Sequence, residues 1–447
     1  MQPRIFRSNH GLSLVALCMV LSLFVGCVKD HPLPPTASHE RGDVVFDWYK
    51  MMIRIQLYTT PAPVVLLNNR AFAYVGIGLY ESVQPGIKGA LSLSSKLYQM
   101  PAMPEPGYHG QYDWEASANA ALASLFRQFS VNLTDANKAS MDSLENAWNK
   151  RIKSHTREEV LARSRAFGQS IATAVYNWST SDNFNLSAAG YEIQEFPGAW
   201  ERTPPAMALP VGPFLKNSRP LLQSSLSVNA PPLPFPYSPE PSSKFYKAAE
   251  EVYNIALGLT TEQKYIASRW ADVGGPGVGF AGGGHLLFIA TEILEKKNAR
   301  LGEAAEMFAK MGIALKEAIY RVWKGKFDFL LLRPITYIND HIDGEWTSFL
   351  ATPPYPDYPS GLVALYSAAM QILVRQYGDM AVTDNAYVWR GDAPRHFPSI
   401  TKLVEEAGDS RIYAGIHYRF TQEITIQFAK ELGNTVYDIN LTGKRNP

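Results

Sequence analysis

The sequence predicts an all-α fold, on three observations. From Asp43 onward, apolar residues recur every three or four positions, the period of one helix face. No run alternates apolar and polar residues for long enough to build a sheet. Between two helical stretches lies a segment from Pro197 to Pro241, studded with prolines, in which no helix can continue.

The elements follow in order. Val44 to Thr59, Val64 to Val83, Trp114 to Val131, Thr134 to His155 and Arg157 to Thr180 are predicted helices. Thr134 and Thr156 are expected N-caps, the second with Glu159 three residues on as a capping box. Helical spacing resumes at Ser243. From Ala299 to Trp323 the residues Leu301, Ala305, Phe308, Leu315, Ile319 and Val322 share one face. Leu362 to Tyr377 is nearly all apolar, which predicts a helix buried on most sides and ended by Gly378. Thr421 to Leu432 closes the series, with Gly433 as the expected C-cap and Thr421 a sensible N-cap.

With 447 residues, 46% of them hydrophobic, the chain can bury a sizeable core, and a net charge of +1 leaves no basic face for nucleic acid. Arg4 and Arg7 precede an apolar run, Leu12 to Val25, and then Gly26-Cys27. That order describes a signal peptide over residues 1–26, and the run is shorter than the ~20 apolar residues a membrane span needs. Leu23-Phe24-Val25-Gly26-Cys27 resembles a bacterial lipobox, which implies lipidation of Cys27, a polar tether over residues 27–42 and export to the outer membrane, on its periplasmic or outer face. The other cysteine, Cys18, leaves with the signal, so the mature chain holds no internal disulfide and no thiolate metal site. The rest divides into a helical half, 43–196, the proline-rich crossing, 197–242, and a second helical half, 243–447.

Three segments of the second half carry candidate chemistry. The first is Lys326-Phe-Asp-Phe-Leu-Leu-Leu-Arg333-Pro334. On one helix Lys326 and Arg333 would sit two turns apart at nearly the same angle, with Pro334 stopping the helix beside the arginine. Alone, this reads equally as two cations reaching out from a buried helix. The second is Pro353-Pro-Tyr-Pro-Asp-Tyr-Pro359-Ser360-Gly361, which leads into the apolar helix. A hydroxyl and free amides at a helix start attract oxyanions, although a plain serine cap explains the same residues. The third is Ser410-Arg411-Ile-Tyr-Ala-Gly-Ile-His417. Arg411 can fork two hydrogen bonds onto an oxyanion, while a lone histidine is more often a hydrogen-bonded core residue. Taken together, three cations, a serine hydroxyl at a helix start and one histidine are what a tetrahedral or trigonal-bipyramidal oxyanion requires.

Lys-x6-Arg-Pro, then Pro-Ser-Gly, then Ser-Arg-x5-His, in this order, resemble the three motifs of the type 2 phosphatidic acid phosphatase and vanadium haloperoxidase superfamily. Arg70-Ala-Phe-Ala-Tyr-Val-Gly-Ile-Gly-Leu-Tyr80, the crossing from Pro197-Gly-Ala-Trp200 to Pro213-Phe214, and Thr352 to Ser360 are similar to its haloperoxidase branch. The resemblance implies a helical bundle of the phosphatase/haloperoxidase type, two packed helical halves around one oxyanion site. It implies that Lys326, Arg333 and Arg411 neutralise the equatorial oxygens of vanadate or phosphate, and that Ser360 and the Gly361 amide hydrogen-bond to them. His417 would bind vanadium axially in a peroxidase that uses peroxide and halide, or attack phosphorus in a phosphatase without metal. Tyr355 falls where the family often places an aromatic wall of the halide pocket.

Two positions depart from that pattern. Leu362 stands where the family has its acid-base histidine, and leucine moves no proton, which implies weak or altered turnover. Thr421 stands where the family has the aspartate that orients the reactive histidine, and a hydroxyl supports an imidazole less than a carboxylate does. A compensating group is expected among Asp340, His341 and Asp357, close to the motifs in sequence. His285 follows a glycine-rich run, Gly274 to Gly284, that lacks the ending of a phosphate loop; it reads as a residue at a helix start or a pocket lip. Three functions stay open on these residues: a haloperoxidase-like enzyme holding vanadate, an acid phosphatase acting through a phosphohistidine at His417, and a non-catalytic envelope lipoprotein that binds an oxyanion or a partner.

Overall fold

The computed structural model describes residues 37–107, 110–130, 132–275 and 278–442. The expected signal peptide, Cys27 and the tether as far as residue 36 lie outside the described residues. Residues 37–42, expected to belong to the tether, are packed onto the fold: Ala37 is buried and its carbonyl accepts from Gly302 N at 3.1 Å.

The fold is all-α. Helices α1 (Asp43–Leu57), α2 (Val65–Val83), α3 (Trp114–Phe129), α4 (Asp135–Lys153) and α5 (Glu158–Ser179) lie where the apolar spacing placed them, each end within two residues. Thr134 caps α4, its hydroxyl accepting from Asn137 N at 3.1 Å. Thr156 does not cap α5. Its hydroxyl donates instead to Asp113 Oδ2 at 2.6 Å, and Arg157 takes the N-cap position without a side-chain bond. The charge-assisted bond to the carboxylate fixes the hydroxyl away from the free N–H groups of the helix start.

After the crossing come α6 (Lys244–Leu257), capped by Ser243, α7 (Thr261–Arg269), α8 (Gly284–Lys296) and α9 (Leu301–Phe329). The last is the central column, buried along most of its length and crossing α2 at close range. A Cβ on Gly312 would stand 2.8 Å from Ala73 Cα and from Phe72 O, so only glycine allows the two backbones to meet there. Three charged residues within two turns of α9 secure the proline-rich crossing, whose backbone forms no α-helix. Lys316 Nζ donates to Arg219 O at 2.6 Å, Arg321 Nε donates to Ser225 Oγ at 2.9 Å, and Glu317 accepts from Leu221 N and Ser225 Oγ. These bonds satisfy both the buried charges and the crossing's orphan backbone groups.

The remaining elements are α10 (Pro334–His341), α11 (Gly361–Tyr377), α12 (Ile400–Tyr413) and α13 (Arg419–Tyr437). Against the expectation of no sheet, a two-stranded antiparallel ribbon joins α11 to α12. It pairs β1 (Val382–Asp384) with β2 (Arg395–Phe397) and is too short for an alternating pattern to reveal. As expected, α11 is buried on nearly all sides and ends at Gly378, where φ is +82°. Two other expectations fail. The closing helix starts at Arg419 behind Tyr418, so Thr421 lies inside its first turn rather than capping it. Gly433 is also internal: it is where α13 crosses α11, so close that a Cβ would collide with Ala368 O.

Candidate functional site

Lys326 and Arg333 do not share a helix. Helix α9 ends at Phe329, Leu330 turns the chain with φ +52°, and Arg333 becomes the N-cap of α10. Pro334 therefore starts a helix instead of stopping one; at N1 its missing N–H costs nothing. The reversal is braced by Trp200 N donating to Leu330 O at 2.6 Å and by Asp357 N donating to Leu331 O at 2.8 Å.

Both cations still reach the same place. Lys326 is fully buried, and its Nζ donates to the carbonyls of Pro356 at 2.7 Å and Asp357 at 3.0 Å. Arg333, also fully buried, donates from Nε to Tyr355 O at 2.8 Å and from Nη1 to Ile416 O at 2.8 Å. Its Nη1 lies 3.2 Å from His417 Nε2. Arg411, near the end of α12, bonds through Nε to Ser410 Oγ at 3.0 Å and through Nη2 to Ala267 O at 3.2 Å. Burial lowers its guanidinium to about 10, with the charge of Arg333 acting on it in the same direction. Burial also holds the Lys326 ammonium well below its ordinary range, again with Arg333 contributing.

Ser360 is the N-cap of α11 and Gly361 its first residue. The Ser360 amide donates to Thr425 Oγ1 at 3.0 Å, but among the described residues its buried hydroxyl has no hydrogen-bond partner, and neither have Arg333 Nη2 and Asp357 Oδ1. A buried donor left unsatisfied costs about 1–3 kcal/mol. A cluster that leaves two such donors beside three cations fits an oxyanion, whose acceptor oxygens would satisfy them.

His417 follows the turn at Gly415 and is buried. Its Nδ1 stands 2.8 Å from Asp357 Oδ1, while Thr421 Oγ1 donates to Asp357 Oδ2 at 2.5 Å. Burial pushes the imidazole down to about 3, against the pull of Asp357. Nδ1 faces the carboxylate, and Nε2 lies on the side of Arg333. That atom can coordinate a metal or attack an electrophile.

Of the expected pocket residues, Tyr355 is at the cluster, its ring centre 4.9 Å from Lys326 Nζ and 5.1 Å from Arg333 Cζ. Trp323, absent from the expected set, backs it at 5.2 Å between ring centres. It sits one turn before Lys326 on α9, a spacing that could have marked it. Leu362 is half-buried in the first turn of α11, packed against the core. His341 is elsewhere: its Nε2 meets Tyr237 OH at 3.0 Å and its ring packs on Tyr337. His285 does start a helix, but it is fully buried and at no pocket lip. Its nitrogens lie 3.0 Å from Asp272 Oδ1 and 3.0 Å from Asp384 Oδ2. Of the three proposed compensators, only Asp357 touches His417.

A family model described as the second helical-bundle domain of VCPO matches residues 306–442, which contain all three motifs. The chain is 25% identical to vanadium chloroperoxidase of Curvularia inaequalis over a match covering 29% of this chain and 30% of that protein, so under a third of the relative's length is matched. Among solved structures, a bacterial vanadium-dependent iodoperoxidase superposes with a TM-score of 0.77 at 27% identity, covering 93% of this chain and 99% of the other. A bacterial vanadium-dependent chloroperoxidase in its holo form shares the fold, with a TM-score of 0.63 at 17% identity over 84% of this chain and 91% of the other.

Proposed function

Since the chain belongs to the vanadium haloperoxidase superfamily, we propose that it binds vanadate and oxidises a halide with peroxide, at a turnover reduced by the leucine at position 362. The observation that carries this reading is the geometry around His417, whose Nε2 lies 3.2 Å from Arg333 Nη1 in a cluster where the buried Ser360 hydroxyl and Arg333 Nη2 lack partners among the described residues. Vanadate, when bound, would supply the Lewis acid that activates peroxide. The chain's own residues would do the rest. Lys326, Arg333 and Arg411 would offset the charge of the bound oxyanion, the Ser360 hydroxyl and the Gly361 amide would donate to its oxygens, and His417 would hold it through a ring nitrogen. Tyr355 and Trp323 would wall the side from which a halide approaches. Leu362 offers no proton on its own side, and a missing acid-base group typically lowers a rate by ~10²–10⁴-fold.

The same neutral imidazole could attack phosphorus, so the test separates the two chemistries. Orthovanadate is titrated calorimetrically into the protein and into His417→Ala, and iodide oxidation by peroxide is compared with p-nitrophenyl phosphate hydrolysis. The expected result is vanadate binding that is lost in the variant, and slow iodide oxidation that depends on added vanadate. Phosphate ester turnover without vanadate would replace this reading with the phosphatase. Binding with neither activity would leave an oxyanion-binding protein.

Export and lipidation at Cys27 belong to the same reading, supported by the basic, apolar and Gly-Cys order of the first 27 residues. Among the described residues no helix is long and apolar enough to cross a membrane.

A further inference from the structure

We infer that Asp357 is the positioning residue for His417, a carboxylate supplied from the proline-rich loop in place of the one missing at position 421. The inference rests on the reading of His417 as the reactive group, and it concerns what aims that imidazole.

The two oxygens of Asp357 face different elements, and Oδ1, besides meeting His417, lies 3.8 Å from Arg333 Nη1. Oδ1 lies 2.8 Å from His417 Nδ1, and Oδ2 accepts from Thr421 Oγ1 at 2.5 Å. Thr421 Oγ1 is the donor of its bond to Oδ2, and an acceptor oxygen at Oδ1 calls for the imidazole proton on Nδ1. Both directions are thereby set. Thr421 in turn holds Thr425 through its carbonyl, at 2.6 Å, and Thr425 receives the Ser360 amide at 3.0 Å. The carboxylate's own backbone is pinned at both ends, its amide to Leu331 O at 2.8 Å and its carbonyl to Lys326 Nζ at 3.0 Å. The loop that carries Asp357 is thus held by a residue of the cation cluster, which couples the aim of His417 to the position of Lys326.

The threonine is better explained as the consequence of this arrangement than as a loss. An aspartate at position 421 facing Asp357 would bring two buried carboxylates to about hydrogen-bond distance, which like charges oppose. A hydroxyl there gives Asp357 the donor that its second oxygen needs. The carboxylate and its helper have exchanged elements: the acid sits on the loop before α11, the helper on α13.

Exchange is therefore the test. Asp357→Ala, Thr421→Asp and the double variant D357A/T421D are compared with the parent, all without added vanadate, by ¹⁵N-resolved NMR of the His417 ring at fixed pH. The parent is expected to show one tautomer, protonated on Nδ1, with that proton protected from exchange. D357A should lose the protection and mix tautomers, and the exchange variant should recover both. Calorimetric orthovanadate affinity should follow, weaker by about 10–100-fold in D357A, the usual effect of losing a residue that orients a ligand, and within a few-fold of the parent in D357A/T421D. T421D alone should weaken binding, because it pairs two carboxylates.

Should D357A fail to fold, the exchange variant still decides, because it keeps one carboxylate in the same space. An unchanged His417 tautomer in D357A, or no recovery in D357A/T421D, overturns the inference. The ring measurement is independent of vanadate, so a parent that binds no vanadate refutes the proposed function without deciding this point.

Discussion

The Nη1 atom of Arg333 lies 3.2 Å from Nε2 and 3.4 Å from Nδ1 of His417, 2.8 Å from the Ile416 carbonyl and 3.8 Å from Asp357 Oδ1, so guanidinium, imidazole and carboxylate form one buried cluster. A permanent cation at that distance opposes protonation of the ring, adding to what burial does. Nη2 of the same guanidinium is buried and has no partner among the described residues.

Arg333→Lys is expected to weaken orthovanadate binding by about 10–100-fold, the equivalent of one charge-assisted hydrogen bond of ~1.5–3 kcal/mol. Lysine keeps the charge but has no fork with which to hold Tyr355 O, Ile416 O and an anion together. Calorimetry on the pair measures it, and equal affinities would mean that Nη2 faces no ligand.

Leu362→His is expected to raise turnover in whichever assay is positive, by at most the ~10²–10⁴-fold an acid-base group contributes. The side chain is half-buried at the start of α11, where an imidazole has access to water. Steady-state rates of the two proteins, each saturated with vanadate, give the answer. Unchanged or lower activity would show that the pocket has been rebuilt around an apolar side chain.

His285 should make stability fall in alkaline solution. Flanked by Asp384 and Asp272, and despite the opposing cost of burial, its imidazolium is raised from 6.5 to about 9. A folded value above the unfolded one gives stability that is complete below pH ~6.5 and disappears as pH rises through about 9, on the order of 3 kcal/mol. Asp384, shifted down chiefly by His285 against its own burial, keeps its contribution until strong acid. Urea unfolding between pH 6 and pH 10 should show the alkaline slope in the parent and a flatter profile in His285→Gln.

Gly312→Ala is expected to destabilise the fold by about 1–3 kcal/mol, because the added carbon meets the backbone of α2 at 2.8 Å and neither helix has a flexible group to move. The thermal midpoint of unfolding reads this directly. A neutral effect would mean that α2 and α9 can separate without loss.

Cys27→Ser is expected to release the full-length protein from the membrane fraction and abolish incorporation of a labelled fatty acid. Labelling that persists in the variant would place the anchor elsewhere.

Local rules in the sequence determined the helices, since each needs only neighbours three and four residues away. The period of apolar residues placed α1 to α5 within two residues at each end, Thr134 was legible as a cap, and Gly378 as the end of α11. The three motifs were legible too, because an oxyanion demands cations, a hydroxyl and a histidine whatever the fold. The tertiary structure decided matters of competition through space. Thr156 is drawn from its helix by Asp113, Gly433 is claimed by the crossing of α13 with α11, and Pro334 opens a helix because Leu330 has already turned the chain. Asp357 is the clearest case. The sequence offered it beside Asp340 and His341 with nothing to separate them, and proximity along the chain favoured none. Only the packing of the proline-rich loop against the start of α13 places one carboxylate within 2.8 Å of His417 and sends His341 to Tyr237 instead.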